Sequence, residues 1–301
     1  MKRRLVTIAA LLILPALWAA GPGASNVPAP AERAVPRTHS HNDYEHEHPL
    51  LDALHHGFVG VEADVYLVGT ELRVSHAPAR DWAAVPTLQA AYLTPLSDLK
   101  TKHHNGGVYA DGTPVLLLVD IKTGADATYG RVHEVLAEYE AANPGLFTAC
   151  TKEADGSYRV KKGAVEVVIS GNRPRRAMAE QAVRYAGYDG RVSDVGRGAG
   201  GDNSPAFMPL VSDNWNSIFS GADLRWDGTG EMPRPVREKL KRLVADVHAE
   251  GKRLRFWNLP KNGPGVWGPL LDAGVDLVNT DDLPGLAAYV RSRAEKTGGL
   301  N

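Results

Sequence analysis

Eight short strand-like runs alternate with helical stretches along nearly the whole chain, and no other feature limits the fold as much. The strand candidates are Arg37–Asn42, Val59–Leu67, Val115–Ile121, Val165–Ser170, Arg191–Val195, Met208–Asp213, Arg253–Leu259 and Val275–Asp281. Helical patterns cover Pro49–His56, Leu88–Lys100, Thr128–Ala141, Arg175–Tyr185, Pro233–Glu250, Val266–Ala273 and Leu283–Glu295. Gly57, Gly251 and Gly274 each close a helix just before a strand, where a cap must turn through the left-handed region. The unbroken apolar run Leu116-Leu117-Leu118-Val119 suits a parallel strand covered on both faces. An α/β fold follows. With eight strands, and no G-x-G-x-x-G after the first, a closed (β/α)8 TIM barrel is favoured over an open dinucleotide-binding sheet. Leu72–Ser75 and Phe147–Val160 read as local hairpins. No repeat or Pro/Gly-rich linker interrupts residues 37–292, so a single barrel domain is expected over residues 37–296.

Composition removes several function classes. Lys plus Arg number 34 against 35 for Asp plus Glu, too even a balance for a general nucleic-acid binder. The lone Cys150 excludes an internal disulfide framework and a cysteine zinc cluster. Lys2, Arg3 and Arg4 precede the apolar run Leu5 to Ala20 and the small-residue stretch from Gly21 to Ser25. Residues 1–25 therefore read as a secretory signal peptide, residues 26–36 as a disordered leader, and the protein is expected outside the cell. Without residues 1–25 the formal charge moves from −1 to −4.

Chemistry gathers where a barrel would put it, at the carboxyl ends of the strands. The first strand candidate runs into His39-Ser40-His41-Asn42-Asp43-Tyr44, the second carries Glu62-Ala63-Asp64, and Val74-Ser75-His76 follows. The third ends in Asp120-Ile121-Lys122. Residues two apart on a strand share a face, so Glu62 projects with Asp64, and Asp120 with Lys122. Three carboxylates meeting at one mouth repel each other unless a positive charge lies between them, and a hard divalent cation, Ca²⁺ or Mg²⁺, is suited to oxygen ligands. His41 and His76 would then supply acid–base chemistry beside that cation, with Lys122 adding positive charge for an anionic substrate.

This order of residues resembles the superfamily of glycerophosphodiester phosphodiesterases and phosphatidylinositol-specific phospholipases C. His41-Asn42 looks like its first catalytic histidine with its neighbour, Glu62, Asp64 and Asp120 like its metal carboxylates, and His76 like its second catalytic histidine. The 21-residue step from His41 to Glu62 and the 35-residue step from His41 to His76 are similar to those of sphingomyelinase D-type members. In that branch the lysine of Asp-x-Lys, here Lys122, contacts the substrate phosphate. The resemblance implies a TIM barrel that hydrolyses a small-molecule or phospholipid phosphodiester, meeting a membrane surface if the substrate is a lipid. It implies His41 as base and His76 as acid. Two positions depart from the pattern. Asn42 stands where glycerophosphodiesterases carry Arg, as in metal-dependent eukaryotic phospholipases C, and would be a fourth metal ligand. Ala77 replaces an acid that often follows the second histidine. Trp257, near a strand end, is a candidate for the substrate pocket, and Arg173 for a phosphate contact.

Two other readings stay open at this level. His39-x-His41 also begins zinc amidohydrolase barrels, although after His104 the chain holds only His133 and His248. A secreted barrel that binds a phosphorylated ligand without turning it over would show the same residues.

Overall fold

The computed structural model describes residues 28–103 and 106–296, so the expected signal segment lies outside the described residues. Eight parallel strands form the centre: β1 (Val35–Ser40), β2 (Phe58–Val68), β3 (Val115–Ile121), β4 (Val165–Gly171), β5 (Ala186–Gly190), β6 (Leu210–Asn214), β7 (Arg253–Trp257) and β8 (Val278–Thr280). They pair in chain order. β8 pairs with β1, and a parallel bridge between Arg255 and Leu277 joins β7 to the β8 segment, so the sheet closes on itself. Helices α1 (Leu51–His55), α2 (Thr94–Lys102), α3 (Ala125–Ala142), α4 (Arg175–Glu180), α5 (Trp215–Ile218), α6 (Arg234–Ala249), α7 (Pro264–Ala273) and α8 (Leu283–Lys296) alternate with the strands, except between β5 and β6, where only 3-10 turns intervene. The protein is a single-domain (β/α)8 TIM barrel.

Alternation sorts the side chains. Val61, Ala63 and Val65 of β2 and Leu117, Val119 and Ile121 of β3 are buried in the core between strands and helices. On the other parity, Leu116, Leu118, Val168, Leu210 and Leu277 form a separate apolar cluster that plugs the barrel. Above that plug the same inward rows turn polar, and this change places the site.

The fifth strand differs from expectation. It is Ala186–Gly190, whereas residues within Arg191–Val195 form a 3-10 turn closed by the bond from Asp194 N to Arg191 O (2.8 Å). Two glycines and an aspartate in five residues give β5 little intrinsic strand signal. Close packing explains the glycines, because a Cβ on Gly187 would lie 2.6 Å from Pro209, and one on Gly190 would strike Met208. The helix expected over Arg175–Tyr185 stops at Glu180 for a related reason. Val183–Arg184 is taken up in a three-stranded antiparallel sheet with Ala149–Lys152 and Tyr158–Lys161.

Candidate active site

Register assembles the acidic cluster. β2 and β3 pair Asp64 with Asp120 and Glu62 with Leu118, so three carboxylates meet at the carboxyl ends of two neighbouring strands. Ligating oxygens of Glu62, Asp64 and Asp120 all lie within 4.8 Å of one another, a spread one ion with bonds of about 2.3–2.6 Å can bridge. All donors are hard oxygens, so the set fits a hard divalent cation. Protein cations offset part of the charge. Lys122 Nζ lies 3.0 Å from Asp64 Oδ2 and 2.9 Å from Asp120 Oδ1, and Arg255 donates to Glu62 Oε2 at 2.7 Å. Three negative charges against two positive ones leave the cluster one charge short of neutral. Burial raises the Asp64 carboxyl above its ordinary range, despite the opposing pull of Lys122 and of the Tyr44 hydrogen bond.

A hairpin delivers His76. β2 runs on to Val68, turns at Gly69 and returns antiparallel as Glu71–Val74. Ser75 N then bonds Asp64 O at 3.0 Å, which leaves His76 beside the cluster with Nδ1 3.5 Å from Asp64 Oδ2. Tyr44 links the two: its hydroxyl is 2.8 Å from Asp64 Oδ2 and 3.1 Å from His76 Nδ1.

His41 follows β1, beside β8. Its Nδ1 is 2.8 Å from Asp281 Oδ1, and Asn262 Nδ2 donates to the other Asp281 oxygen at 3.0 Å. A cavity of about 200 Å³ lined by His41, Asn258, Asn262, Thr280 and Asp281 opens there. Burial alone would lower the His41 pKa, but the Asp281 bond and the charge of Glu62 outweigh it, and the net shift is upward. The His41 bond in turn holds Asp281 below the usual carboxylate range. Because the folded state binds this proton more tightly than the unfolded chain, the pair stabilises the fold below the ordinary histidine pKa. That contribution is lost as pH rises through the raised value. Asp281→Asn is therefore expected to lower the His41 midpoint and remove this acid-side stabilisation. Imidazole NMR titration of the variant checks it, and an unchanged midpoint would dismiss the coupling.

The remaining sequence candidates take varied places. Lys122 lies in the cluster, paired with Asp64 and Asp120. Asn42 occupies a left-handed conformation (φ 45°) that turns the chain out of β1 into the 3-10 turn Asp43–Glu45, and its side chain makes no hydrogen bond to the three carboxylates. Trp257, half-buried at the end of β7, carries the Arg191 guanidinium 4.9 Å from its ring centre. Arg173 and Lys122 both line a cavity of about 690 Å³ over Tyr188. His39 is completely buried. Neither ring nitrogen has a hydrogen-bond partner, and Nε2 lies 3.9 Å from Glu62 Oε2. Burial first, then Arg255 and His41, hold its pKa well below the ordinary value. Gly60 makes room for it, since a Cβ there would lie 2.5 Å from His39 Nδ1.

A family model described as the AIM6-like phosphodiesterase domain matches residues 32–189, the half of the chain that holds all three carboxylates, both histidines and Lys122. The chain belongs to this family. One relative, Altered inheritance of mitochondria protein 6 of Eremothecium gossypii, is 30% identical over 306 residues, covering 89% of this chain and 73% of that protein. The Lachancea thermotolerans protein of the same name is 26% identical over 279 residues, and the match covers 83% of this chain but only 64% of that relative. Among solved structures, a Ca²⁺-dependent phosphatidylinositol-specific phospholipase C from Streptomyces antibioticus is similar at 15% identity and a TM-score of 0.49, covering 87% of this chain and 98% of that one. The matched family is one of phosphodiesterase-like domains, and in this chain its residues place the three carboxylates at the mouth of the barrel. Among the described residues, His39 and His41 are joined by no further histidine ligands of the kind a zinc amidohydrolase centre uses. Among the described residues, Glu62, Asp64 and Asp120 are the only group of three His, Cys, Asp or Glu residues close enough to share an ion. His133 on α3 stacks on Tyr185, and His248 on α6 pairs with Asp276 at 2.8 Å.

Sequence reading passed over Asp281, Arg255, Tyr44 and Asn262. Arg255 carried a usable signal: in Arg253–Trp257 its parity points into the barrel, where a charge needs a partner.

Proposed function

We propose that this AIM6-like domain is a cation-dependent phosphodiesterase that cleaves glycerophosphodiesters or phospholipid head groups by histidine acid–base catalysis. One observation carries the reading: His41, held by Asp281, and His76, beside Tyr44 and Asp64, flank a carboxylate cluster fit for a divalent ion. Glu62, Asp64 and Asp120 would hold Ca²⁺ or Mg²⁺, with Asn42 a further candidate ligand. When bound, the ion supplies positive charge to a non-bridging phosphate oxygen. Lys122 adds charge on the same side of the phosphate, and Trp257 with Arg173 would bound the substrate. His41 Nε2 takes a proton from the attacking hydroxyl, of water or of the substrate, as the new P–O bond forms. A carboxylate-supported imidazole suits that role. The bond to the leaving oxygen breaks as His76 Nε2 gives that oxygen a proton. Export by a signal peptide over residues 1–25 belongs to the same proposal.

The test is alcohol release from glycerophosphocholine, glycerophosphoinositol, a lysophospholipid and phosphatidylinositol by chelated protein, with and without Ca²⁺ or Mg²⁺. Turnover is expected to vanish on chelation and return with one of the two ions. Turnover indifferent to chelation would overturn the cation dependence. Ligand binding with no alcohol released from any of the four would favour a barrel that only binds.

A further inference from the structure

Tyr44 does more than fill the mouth of the barrel. Its place is rigid because the neighbouring Asp43 is fully buried and accepts from Leu50 N at 2.6 Å and from Tyr92 Oη at 3.0 Å. Those bonds pin the turn that carries Tyr44 across to the end of β2. There the phenol oxygen meets two groups, Asp64 Oδ2 at 2.8 Å and His76 Nδ1 at 3.1 Å. A phenol has one hydrogen to give. Asp64 Oδ2, already receiving Lys122 Nζ at 3.0 Å, acts as an acceptor, so the Tyr44 hydrogen goes to it. The oxygen lone pair is left for His76, and the partner it needs there is an N–H. Direct contact between His76 Nδ1 and Asp64 Oδ2, at 3.5 Å, is too long to replace this link.

We propose that Tyr44 is a positioning residue: by donating to Asp64 and accepting from His76 Nδ1–H, it locks His76 in the form that keeps the Nδ1 proton and presents Nε2 to the substrate. The lock has work to do, because the His76 side chain is 63% exposed and follows a hairpin strand, where an unheld ring would sample several rotamers. It holds in both charge states. Doubly protonated His76 keeps its Nδ1 bond to Tyr44 and gives up the Nε2 proton. The neutral ring left behind is already the tautomer Tyr44 accepts from, so no reorganisation follows the transfer. Asp281 does the same for Nδ1 of His41, so both histidines meet the substrate through Nε2.

The catalytic part of this inference rests on the phosphodiesterase reading, whereas the tautomer part does not. Long-range ¹H–¹⁵N spectra of histidine-labelled protein, recorded at alkaline pH, separate them. Wild type is expected to show His76 protonated on Nδ1 with a bare Nε2. In Tyr44→Phe, which keeps the ring and loses only the oxygen, His76 is expected to move toward the Nε2–H form. The Nε2–H tautomer in wild type, or the same tautomer in both proteins, would overturn the proposal, whatever activity is found. With any phosphodiester the enzyme turns over, Tyr44→Phe is expected to lower kcat by at least about tenfold, with KM within about threefold. A loss confined to KM would overturn the positioning role, and a matching melting temperature in the two proteins confirms that the variant is folded.

Discussion

Replacing His41 by alanine is expected to cut turnover by about 10²- to 10⁴-fold, the range for loss of a positioned general base. On the proposed mechanism the attacking hydroxyl would have to lose its proton to bulk water, while the contacts proposed for Lys122 and the carboxylate cluster would persist. The loss should therefore fall on kcat with little change in KM. Removal of the side chain also frees Asp281, which keeps Asn262 as a partner and is more than half exposed, so folding should change little. Steady-state kinetics on the best substrate, with a melting curve beside it, decide the matter. Near-normal turnover in a folded variant would remove His41 from the chemistry.

Arg255→Met is expected to act on stability rather than on the chemical step. Arg255 is 2% exposed, bonds Glu62 Oε2 at 2.7 Å and Asn279 Oδ1 at 2.9 Å, and lies inside the barrel. Its removal leaves a carboxylate that is only 8% exposed without its counter-charge, a change that costs about 3–5 kcal/mol in comparable buried pairs. For a domain of this size that corresponds to a fall in melting temperature on the order of 10 °C. Two companion measurements give the reason. Pairing the change with Glu62→Gln should restore much of the loss, because the stranded charge goes with it. Millimolar Ca²⁺ or Mg²⁺ should stabilise Arg255→Met more than wild type if the cation shares Glu62. An unchanged melting temperature in Arg255→Met would mean that the fold does not depend on the Arg255–Glu62 pair.

Much of the site was legible before the fold was known, and the reason is periodicity. Glu62 and Asp64 stand two apart in β2, and Lys122 stands two from Asp120 just past the end of β3; the other parity of both strands is apolar, so each pair had to face the barrel interior. The glycine-rich β5 was not legible. Its residues were chosen by the close approach of Pro209 and Met208, and strand propensity carries no trace of that constraint.

The partners were hidden for a different reason. Asp281 stands 240 residues from His41, and Arg255 stands 193 from Glu62. Alternation along a strand states which way a side chain points but never which side chain it meets. Closure of the barrel brings β8 against β1, and the inward rows of β7 across to those of β2. The sequence by itself determined seven of the eight strands, their inward faces and an acidic mouth with histidines beside it. Only the tertiary structure decided which cation neutralises Glu62, which carboxylate raises the His41 pKa and which hydroxyl holds His76. Those choices depend on strand order and register, set by packing over the whole barrel rather than by any local run of residues.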